Sequence, residues 1–360
     1  MGAATPRMRE TFVRVAMYYS NRDVRLEEMP TPSPGPGEVL LRIMASGICG
    51  SDVLEWYRIR TAPRVLGHEV GGVIAEVGPG AGARQPDAGG WQRGDRAFVT
   101  HHVPCNTCHY CLAGHHTACE TLHRTNFDPG GFAEYVRVPA LNVERGMLRL
   151  PEEVSFEEAT FIEPLACVLR GQRLARLEPG QTVAVLGSGI SGALHIKLAV
   201  ASGAGRILAT DVSEYRLGRA REFGADVALP ATEDVAGRLR QLTGGRLADL
   251  VIVCAGALSA SRQALSLVER GGKVLYFAVP EPGVELPLPI ADLWRNEVTL
   301  LTSYGGAPAD LAQALEVIRS RRVTVADMVT HRLPLAETGR GFQLVASAGE
   351  SLKVIIDPQR

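Results

Sequence analysis

Four cysteines in one short stretch of the chain have the spacing of metal ligands. They follow the pattern CxxCxxCx7C and are Cys105, Cys108, Cys111 and Cys119. Four thiolates on short loops satisfy a tetrahedral zinc ion completely and leave no position for water or substrate, so this stretch predicts a structural zinc site. Disulfides are the alternative for the same residues. Zinc is favoured, because the N-terminal residues MGAATPRMRE do not lead into the apolar segment of a secretory signal.

A second group of candidate ligands combines different side-chain types from distant parts of the chain. Cys49 lies in GICGSD, His68 and Glu69 lie in GHE, and Glu163 lies in EPLAC. One thiolate, one imidazole and one carboxylate leave a fourth zinc position for water or an alcohol oxygen, as catalytic zinc sites require. Taken alone, each residue also fits a purely structural role, such as that of a hydrogen-bonded histidine in the core. Only the combination predicts a catalytic zinc site.

A glycine-rich turn in the second half of the chain predicts a nucleotide site. The sequence VAVLGSGISG places Gly187, Gly189 and Gly192 at GxGxxG spacing, after an apolar strand and before a helix that includes Ile190. The glycines allow a tight turn, close approach of the backbone to a pyrophosphate, and close packing of helix on strand. Asp211 ends the next strand, where its carboxylate can accept the ribose hydroxyls of NAD and repel the 2′-phosphate of NADP.

Other residues around this turn bear on the choice of cofactor and on its nicotinamide half. Arg216 could approach a 2′-phosphate, stack on adenine or lie in solvent, so NAD is preferred and NADP stays the alternative. Cys254 and Ala278 follow two further predicted strands and are expected near the nicotinamide, with Val279 directly after Ala278.

Composition and periodicity predict the elements that position these residues. Residues 1–160 alternate short β-type runs with Gly and Pro turns, which predicts a β-rich domain containing the cysteine lobe 105–119. Residues 161–304 alternate buried strands with helical segments, which predicts a parallel α/β sheet, and residues 305–360 give a helix and a last strand. A net charge of -1 offers no surface for nucleic acid or an anionic membrane, and no apolar run is long enough to span one. A cytoplasmic protein with a small-molecule substrate is expected.

Taken together, the motifs resemble those of the zinc-containing medium-chain dehydrogenases, over essentially the whole chain and closest to the polyol (sorbitol) dehydrogenase branch. The matching motifs, in the family's order, are GICGSD, GHEVGGVIAEVG, VPCNTCHYCLAGHHTAC, GGFAEYV, EPLACV, VLGSGISG and the aspartate of ATDVSE. The resemblance implies an α/β protein with a GroES-like catalytic domain, to which the C-terminal segment returns. It also implies an inserted Rossmann domain that binds NAD, one catalytic and one structural zinc ion per chain, and a homodimer or homotetramer.

The resemblance also implies roles for single residues around the catalytic zinc. The ion would be held by Cys49, His68 and a carboxylate, which is the match of Glu69 in some polyol dehydrogenases and of Glu163 in threonine dehydrogenases. Asp52 matches an aspartate that orients the histidine ligand.

The proton route departs from the family pattern at one position. Ser51 matches the hydroxyl that takes the alcohol proton and passes it toward the cofactor ribose. Leu54 stands where many relatives have a histidine that continues the relay. A water held by Glu163 or Glu69, or a path through the ribose, would have to replace that histidine.

The implied function is hydride transfer from a secondary alcohol, such as a polyol or sugar alcohol, to NAD, with a ketone as product. The segment EWYRIRTAPRV should border the cleft, so Trp56, Tyr57, Arg58 and Arg60 could shape substrate choice; two solvated arginines are the simpler interpretation. His101 and His102 could also approach the cleft. The alternatives are an NADP-linked alcohol or aldehyde reductase, a threonine-type dehydrogenase and a nucleotide-binding protein without activity. A zinc-free quinone reductase of the same superfamily is disfavoured, because such proteins lack the ligands that Cys49 and His68 would provide.

Overall fold

The computed structural model describes residues 12–82, 90–278 and 280–360; residues 1–11, residues 83–89 and Val279 lie outside these ranges. The strands are β1 Phe12–Ser20, β2 Asp23–Pro30, β3 Val39–Gly47, β4 Arg64–Val65, β5 Glu69–Val77, β6 Arg96–Thr100, β7 Tyr135–Val138, β8 Met147–Arg149, β9 Thr182–Leu186, β10 Arg206–Asp211, β11 Val227–Pro230, β12 Ala248–Val253, β13 Val268–Tyr276, β14 Thr299–Thr302, β15 Val329–Pro334 and β16 Lys353–Asp357. The helices are α1 Glu55–Arg58, α2 His109–Leu112, α3 Glu120–Arg124, α4 Ala140–Gly146, α5 Phe156–Ala159, α6 Ile162–Ala175, α7 Ile190–Ala201, α8 Glu214–Glu222, α9 Val235–Thr243, α10 Leu258–Leu267, α11 Ile290–Arg295, α12 Pro308–Arg319 and α13 Thr338–Ala346.

The second half of the chain forms the predicted parallel sheet. Its strand order is β11-β10-β9-β12-β13-β14, and all its strand pairs are parallel. Every residue of β9 is buried, as the continuous apolar run TVAVL predicts for a strand covered on both faces. From β9 the chain first adds β10 and β11 on one side of the sheet and then β12, β13 and β14 on the other. The direction of strand addition therefore reverses between β9 and β12, which is the point where such sheets bind nucleotides.

The β-rich part is a largely antiparallel sheet that contains strands from both ends of the chain. Its order is β15-β16-β3-β5-β6-β8, with β7 also paired to β3. The C-terminal strand β16 pairs with β3 through Ile355 opposite Gly47 and Ile356 opposite Ser46. Val15, Phe132, Phe342 and Val354 pack in one apolar cluster that joins the two ends. The last strand is therefore part of the sheet that carries the candidate zinc ligands.

Together with a smaller sheet of order β2-β1-β4, these two sheets make an α/β protein with a Rossmann-type half and a β-rich GroES-like half, as expected. In the described ranges, no helix combines the length and the apolarity needed to cross a bilayer.

Candidate functional site

Sheet pairing and one sharp turn bring the first candidate ligands together. Cys49 follows β3, and His68 directly precedes β5, which pairs with β3 so that Glu69 lies opposite Gly47. Gly67 has φ +92°, and a Cβ there would lie 2.8 Å from the backbone nitrogen of Phe132, so the turn before His68 requires glycine. The ligand atoms of Cys49, His68 and Glu69 all lie within 4.8 Å of one another.

The local fold around Cys49 holds its neighbours at short range. Cys49 caps a single 3₁₀ turn, Gly50–Val53, and its sulfur accepts hydrogen bonds from the backbone nitrogen and the Oγ of Ser51, both at 3.4 Å. The Cys49 nitrogen in turn donates to Asp52 Oδ2 at 3.1 Å. This reciprocal capping places the predicted proton-handling hydroxyl beside the candidate thiolate ligand.

Asp52 is fully buried and contacts His68. Its Oδ1 lies 3.4 Å from His68 Nδ1. Burial alone would raise the pKa of Asp52, but the nearby His68 and Arg58 outweigh it and the pKa is lowered. Burial likewise opposes protonation of His68, yet the carboxylate of Asp52 and the sulfur of Cys49 raise its pKa well above the ordinary value. Asp52 is thus an anion that faces the Nδ1 side of the His68 ring.

The two candidate carboxylates differ in their surroundings. Glu69 is buried and forms an ion pair with Lys353, which is also completely buried. Glu163, in the first turn of α6, lies outside the group of three ligand atoms and accepts a hydrogen bond from Cys167 Sγ at 3.5 Å. Burial raises the pKa of Glu163. The geometry therefore brings Glu69 together with Cys49 and His68, and leaves Glu163 nearby.

The four-cysteine lobe has the dimensions of a zinc site. Sulfur separations are 3.5 Å for Cys108 and Cys111, 3.6 Å for Cys105 and Cys119, and 4.0 Å for Cys105 and Cys111. These are too long for a disulfide, in which the sulfurs lie about 2 Å apart. They match a tetrahedron with zinc–sulfur bonds of about 2.3 Å. Backbone N–H donors from Thr107 and Cys108 lower the pKa of Cys105 to about 5, whereas burial raises the pKa of Cys111 to about 12, so Cys105 is the more readily formed thiolate of the two. The residues present fit zinc.

The glycine-rich turn has the geometry that a nucleotide site needs. Gly187 has φ +96°, and a Cβ on Gly192 would overlap the Gly187 carbonyl oxygen, so neither position accepts a side chain. Gly189 caps α7, which begins at Ile190 and presents free N–H groups at its N-terminus.

Asp211 and Arg216 flank this turn. Asp211 accepts N–H groups of Ser188 at 2.7 Å, Val212 at 2.8 Å and Ser213 at 3.0 Å, and is 7% exposed. The Arg216 guanidinium lies over Gly189, with Nη1 3.6 Å from where a Cβ would stand. Both an anion and a cation therefore reach the region where the adenosine half is expected.

The strands that follow also end where predicted. The nitrogen of Cys254 donates to Leu186 O at 2.8 Å, and that of Ala278 donates to Val253 O at 2.9 Å. Burial raises the pKa of the Cys254 thiol. Both residues lie at the carboxyl ends of β12 and β13, on the edge of the sheet that carries the glycine-rich turn.

The structure adds residues that the sequence gave little reason to single out. Lys353 contacts Glu69, and Cys167, taken from the sequence as structural, contacts Glu163. Cys167 follows Glu163 by four residues in EPLAC, and residues at this spacing lie on the same face of a helix. The spacing could therefore have indicated the contact between Cys167 and Glu163. Arg58, whose simpler interpretation was a solvated side chain, points inward and contacts Ser51 and Asp52.

The two histidines at the end of β6 do approach the site. The ring of His101 lies 4.6 Å from that of His68 and 3.7 Å from that of His102. Burial, and then the proximity of His68, lowers the pKa of His101 well below its usual range, and the same causes lower that of His102 to about 3. Both imidazoles are therefore neutral neighbours of the candidate metal site.

Comparison with known proteins matches both halves of the chain. Residues 35–151 match the alcohol dehydrogenase GroES-like domain, and residues 192–320 match the zinc-binding dehydrogenase family. Sorbitol dehydrogenase from Bacillus subtilis is 30% identical over 359 residues, covering 97% of this chain and 98% of its own. L-threonine 3-dehydrogenase from Bacillus velezensis is 34% identical over 352 residues, covering 92% and 95%.

A solved structure agrees over the same length. A protein from Sinorhizobium meliloti 1021, described as a zinc-binding dehydrogenase and bound to NADP, superimposes with a TM-score of 0.84 at 26% identity and covers 97% of this chain and 100% of its own. The chain therefore belongs to the zinc-containing medium-chain dehydrogenases, the oxidoreductase family of the alcohol, sorbitol and threonine dehydrogenases.

Proposed function

We propose that this protein oxidises a secondary alcohol of the polyol or sugar-alcohol class to a ketone, with NAD as the hydride acceptor. The observation that carries the proposal is the convergence of Cys49, His68 and Glu69 within 4.8 Å, with the Ser51 hydroxyl hydrogen-bonded to the Cys49 sulfur. Such a set suits a zinc ion that keeps one position for substrate. Glu163 is the alternative carboxylate, and the lobe would hold the second, structural zinc.

When bound, zinc would supply a Lewis acid for the substrate oxygen, and NAD would supply the acceptor of the hydride. The chain's own residues would handle geometry and protons. Asp52 fixes the ring of His68 so that one nitrogen faces the ligand group. Ser51 Oγ lies where it can accept the proton of a substrate hydroxyl and donate its own to a further acceptor, such as a ribose hydroxyl. Leu54 offers no such acceptor.

NAD is preferred over NADP because of the charge at the end of β10. The carboxylate of Asp211 accepts three backbone N–H bonds, which fixes its position beside the glycine-rich turn, and a fixed anion there repels a 2′-phosphate. Arg216 supports the NADP-linked alternative, since its guanidinium lies over Gly189.

We also propose the division of the chain expected from its sequence: a catalytic domain from residues 1–160 and 305–360, and a cofactor domain from 161–304. The pairing of β16 with β3 supports it. The sheet edge at β14 and the exposed side chains of α11, with Trp294 79% and Ile290 65% exposed, would form a homodimer contact, alone or within a tetramer.

The test of function measures reduction of NAD and of NADP by protein whose zinc content has been determined. The substrates are polyols, 2,3-butanediol, threonine, inositols and sugar acids. NAD-linked turnover of one class, with two zinc ions per chain, is expected. Ser51→Ala should lower kcat by about 10²- to 10⁴-fold, as loss of a proton-transfer group does. Full activity in Cys49→Ser, alongside unchanged zinc content, would contradict the proposal.

A further inference from the structure

Arg58, at the end of α1, is directed into the candidate active site. Its Nε donates to the carbonyl oxygen of Ser51 at 3.0 Å, and its Nη2 lies 3.1 Å from Ser51 Oγ and 3.4 Å from Asp52 Oδ1. Its side chain is 15% exposed and its guanidinium stacks on Tyr57, 4.7 Å from the ring centroid. Two hydrogen bonds to one residue and a stacking contact hold the guanidinium in a single orientation.

This contact determines which hydrogen bonds remain open to Ser51. A serine hydroxyl has one proton to donate and two lone pairs that accept, whereas an arginine only donates and keeps its charge. Arg58 therefore occupies one lone pair of Ser51 Oγ. The other lone pair is open to the hydroxyl of a substrate, and the proton of Ser51 is directed to an acceptor, which in this structure is the Cys49 sulfur at 3.4 Å.

The side chain at position 54, one turn before Arg58, cannot orient Ser51. Leu54 has no hydrogen-bonding side chain and is 39% exposed. A donor on the next turn, Arg58, contacts the same hydroxyl instead. A hydrogen bond from a charged donor is roughly twice as strong as a neutral one, so this contact is a firm constraint on the Ser51 hydroxyl.

We propose that Arg58 is a positioning residue for the reaction: by donating to one lone pair of Ser51 Oγ, it leaves the other lone pair to accept from the substrate hydroxyl, while the Ser51 proton turns from the Cys49 sulfur to an acceptor on the bound cofactor. This inference rests on the proposed function, because it concerns the same hydroxyl. It adds a determinant of that hydroxyl's orientation that lies outside the metal ligands and the nucleotide site.

If Arg58 acted only by supporting Asp52, its removal would disturb the His68 ring and weaken metal binding. The positioning role predicts the opposite. Asp52 also contacts the Cys49 nitrogen at 3.1 Å and His68 Nδ1 at 3.4 Å, and neither contact involves Arg58. The His68 ring should therefore stay in place when Arg58 is removed, and metal binding should persist. Ser51 Oγ, in contrast, loses the donor described above. Loss of turnover with intact metal binding therefore separates the two roles.

The experiment compares Arg58→Met, Arg58→Lys and the wild type in steady-state turnover of the best alcohol found for the wild type. Methionine keeps the apolar stem beside Tyr57 but removes the donor. We expect Arg58→Met to lower kcat by about 10- to 100-fold with little change in KM, the range for losing one hydrogen bond to a charged group. Arg58→Lys should restore part of that loss, because an ammonium also donates. Arg124→Met, at a helix arginine whose side chain is 78% exposed, is the control and should match the wild type.

A second readout does not depend on activity. Each variant is loaded with Co²⁺, whose visible spectrum reports the thiolate and imidazole ligands, and zinc affinity is measured by competition with a chelator. Spectrum and affinity should match the wild type in Arg58→Met. If both are lost together with turnover, or if kcat is unchanged, the inference is overturned. A wild-type protein that reduces neither cofactor with any alcohol overturns the proposed function and this inference with it, whereas an active wild type with an equally active Arg58→Met overturns the inference alone.

Discussion

The ammonium of Lys353 and the carboxylate of Glu69 form an ion pair in the protein interior, where their side chains are 0% and 1% exposed. Lys353 also lies 3.4 Å from the carbonyl oxygen of Thr160 and 5.0 Å from the ring centroid of Phe161. A Cβ on Gly47 would lie 2.5 Å from the ammonium, so a larger residue on the neighbouring strand would displace the ion pair. One carboxylate thus serves both as a candidate zinc ligand and as the counter-ion of a lysine from the last strand.

Lys353→Met should destabilise the fold strongly, because it leaves the buried Glu69 charge without its counter-ion. The expected loss in the free energy of unfolding is about 3–5 kcal/mol, as for other buried pairs broken on one side. Guanidinium denaturation measures it. The double variant Lys353→Met with Glu69→Gln removes both charges and should recover much of the loss. A double variant no more stable than the single one would show that the lysine stabilises the fold through its other contacts.

Asp52→Asn tests the support of the histidine ligand. The amide keeps the shape of the side chain but removes the negative charge beside His68, so we expect zinc affinity at this site to fall by about 10- to 100-fold. Chelator competition measures the affinity, and the lobe provides an internal control because its cysteines do not contact Asp52. The expected pattern is one zinc ion lost easily and one retained. Equal weakening of both ions would mean that the substitution acts on the whole fold.

Glu158 should make stability depend on pH in the acid range. Burial acts to raise the pKa of Glu158, but the Ser155 backbone N–H and Arg321 outweigh it, and the pKa is lowered. A folded-state pKa below the unfolded one contributes stability that is complete above the unfolded pKa, about 4.3, and is lost as pH falls through the folded pKa. Glu158→Gln should therefore be less stable than the wild type near neutral pH. The difference in urea midpoints should shrink below about pH 4. A constant difference would point to packing rather than charge.

The sequence predicted the structure best where a single residue type recurs at a fixed, short spacing. The glycine-rich turn and the four cysteines are local, so their spacing alone predicted their geometry. The parallel sheet could be predicted because strands buried on both faces read as continuous apolar runs, such as TVAVL in β9.

Contacts across long separations could not be predicted in the same way. Lys353 lies 284 residues from Glu69 in the chain. No local sequence pattern predicts which strand lies next to the strand that carries Lys353. Arg58 has the surroundings of a surface loop in the sequence, and only the path of α1 turns it toward Ser51. Which candidate carboxylate lies beside Cys49 and His68 depended on the register of β5 against β3, which places Glu69 opposite Gly47. Such registers follow from tertiary packing.

The cysteine lobe should lose its metal on substitution of any one ligand. Cys111→Ser replaces a thiolate by a poorer ligand in a closed site, so we expect zinc content to fall from two ions per chain to one. Segment 105–119 should then become susceptible to proteases, because its short helices depend on the ion rather than on a core of their own. Cys254→Ser, a thiol distant from both ligand groups in the chain, is the matched control and should keep two ions. Two ions in Cys111→Ser would rule out this assignment of the lobe.

Arg216→Met tests the cofactor preference. The guanidinium lies over Gly189, beside the fixed carboxylate of Asp211, so it can pair with a 2′-phosphate but is not needed for ribose hydroxyls. We expect kcat/KM for NADP to fall by about tenfold and that for NAD to change little, since a charged hydrogen bond is worth about 1.5–3 kcal/mol. Arg219→Met, an arginine on the same helix that pairs with Glu222, controls for the loss of positive charge on α8. An equal loss with both cofactors would instead place Arg216 on a part that they share, the adenine or the pyrophosphate, and would leave Asp211 as the residue that selects NAD.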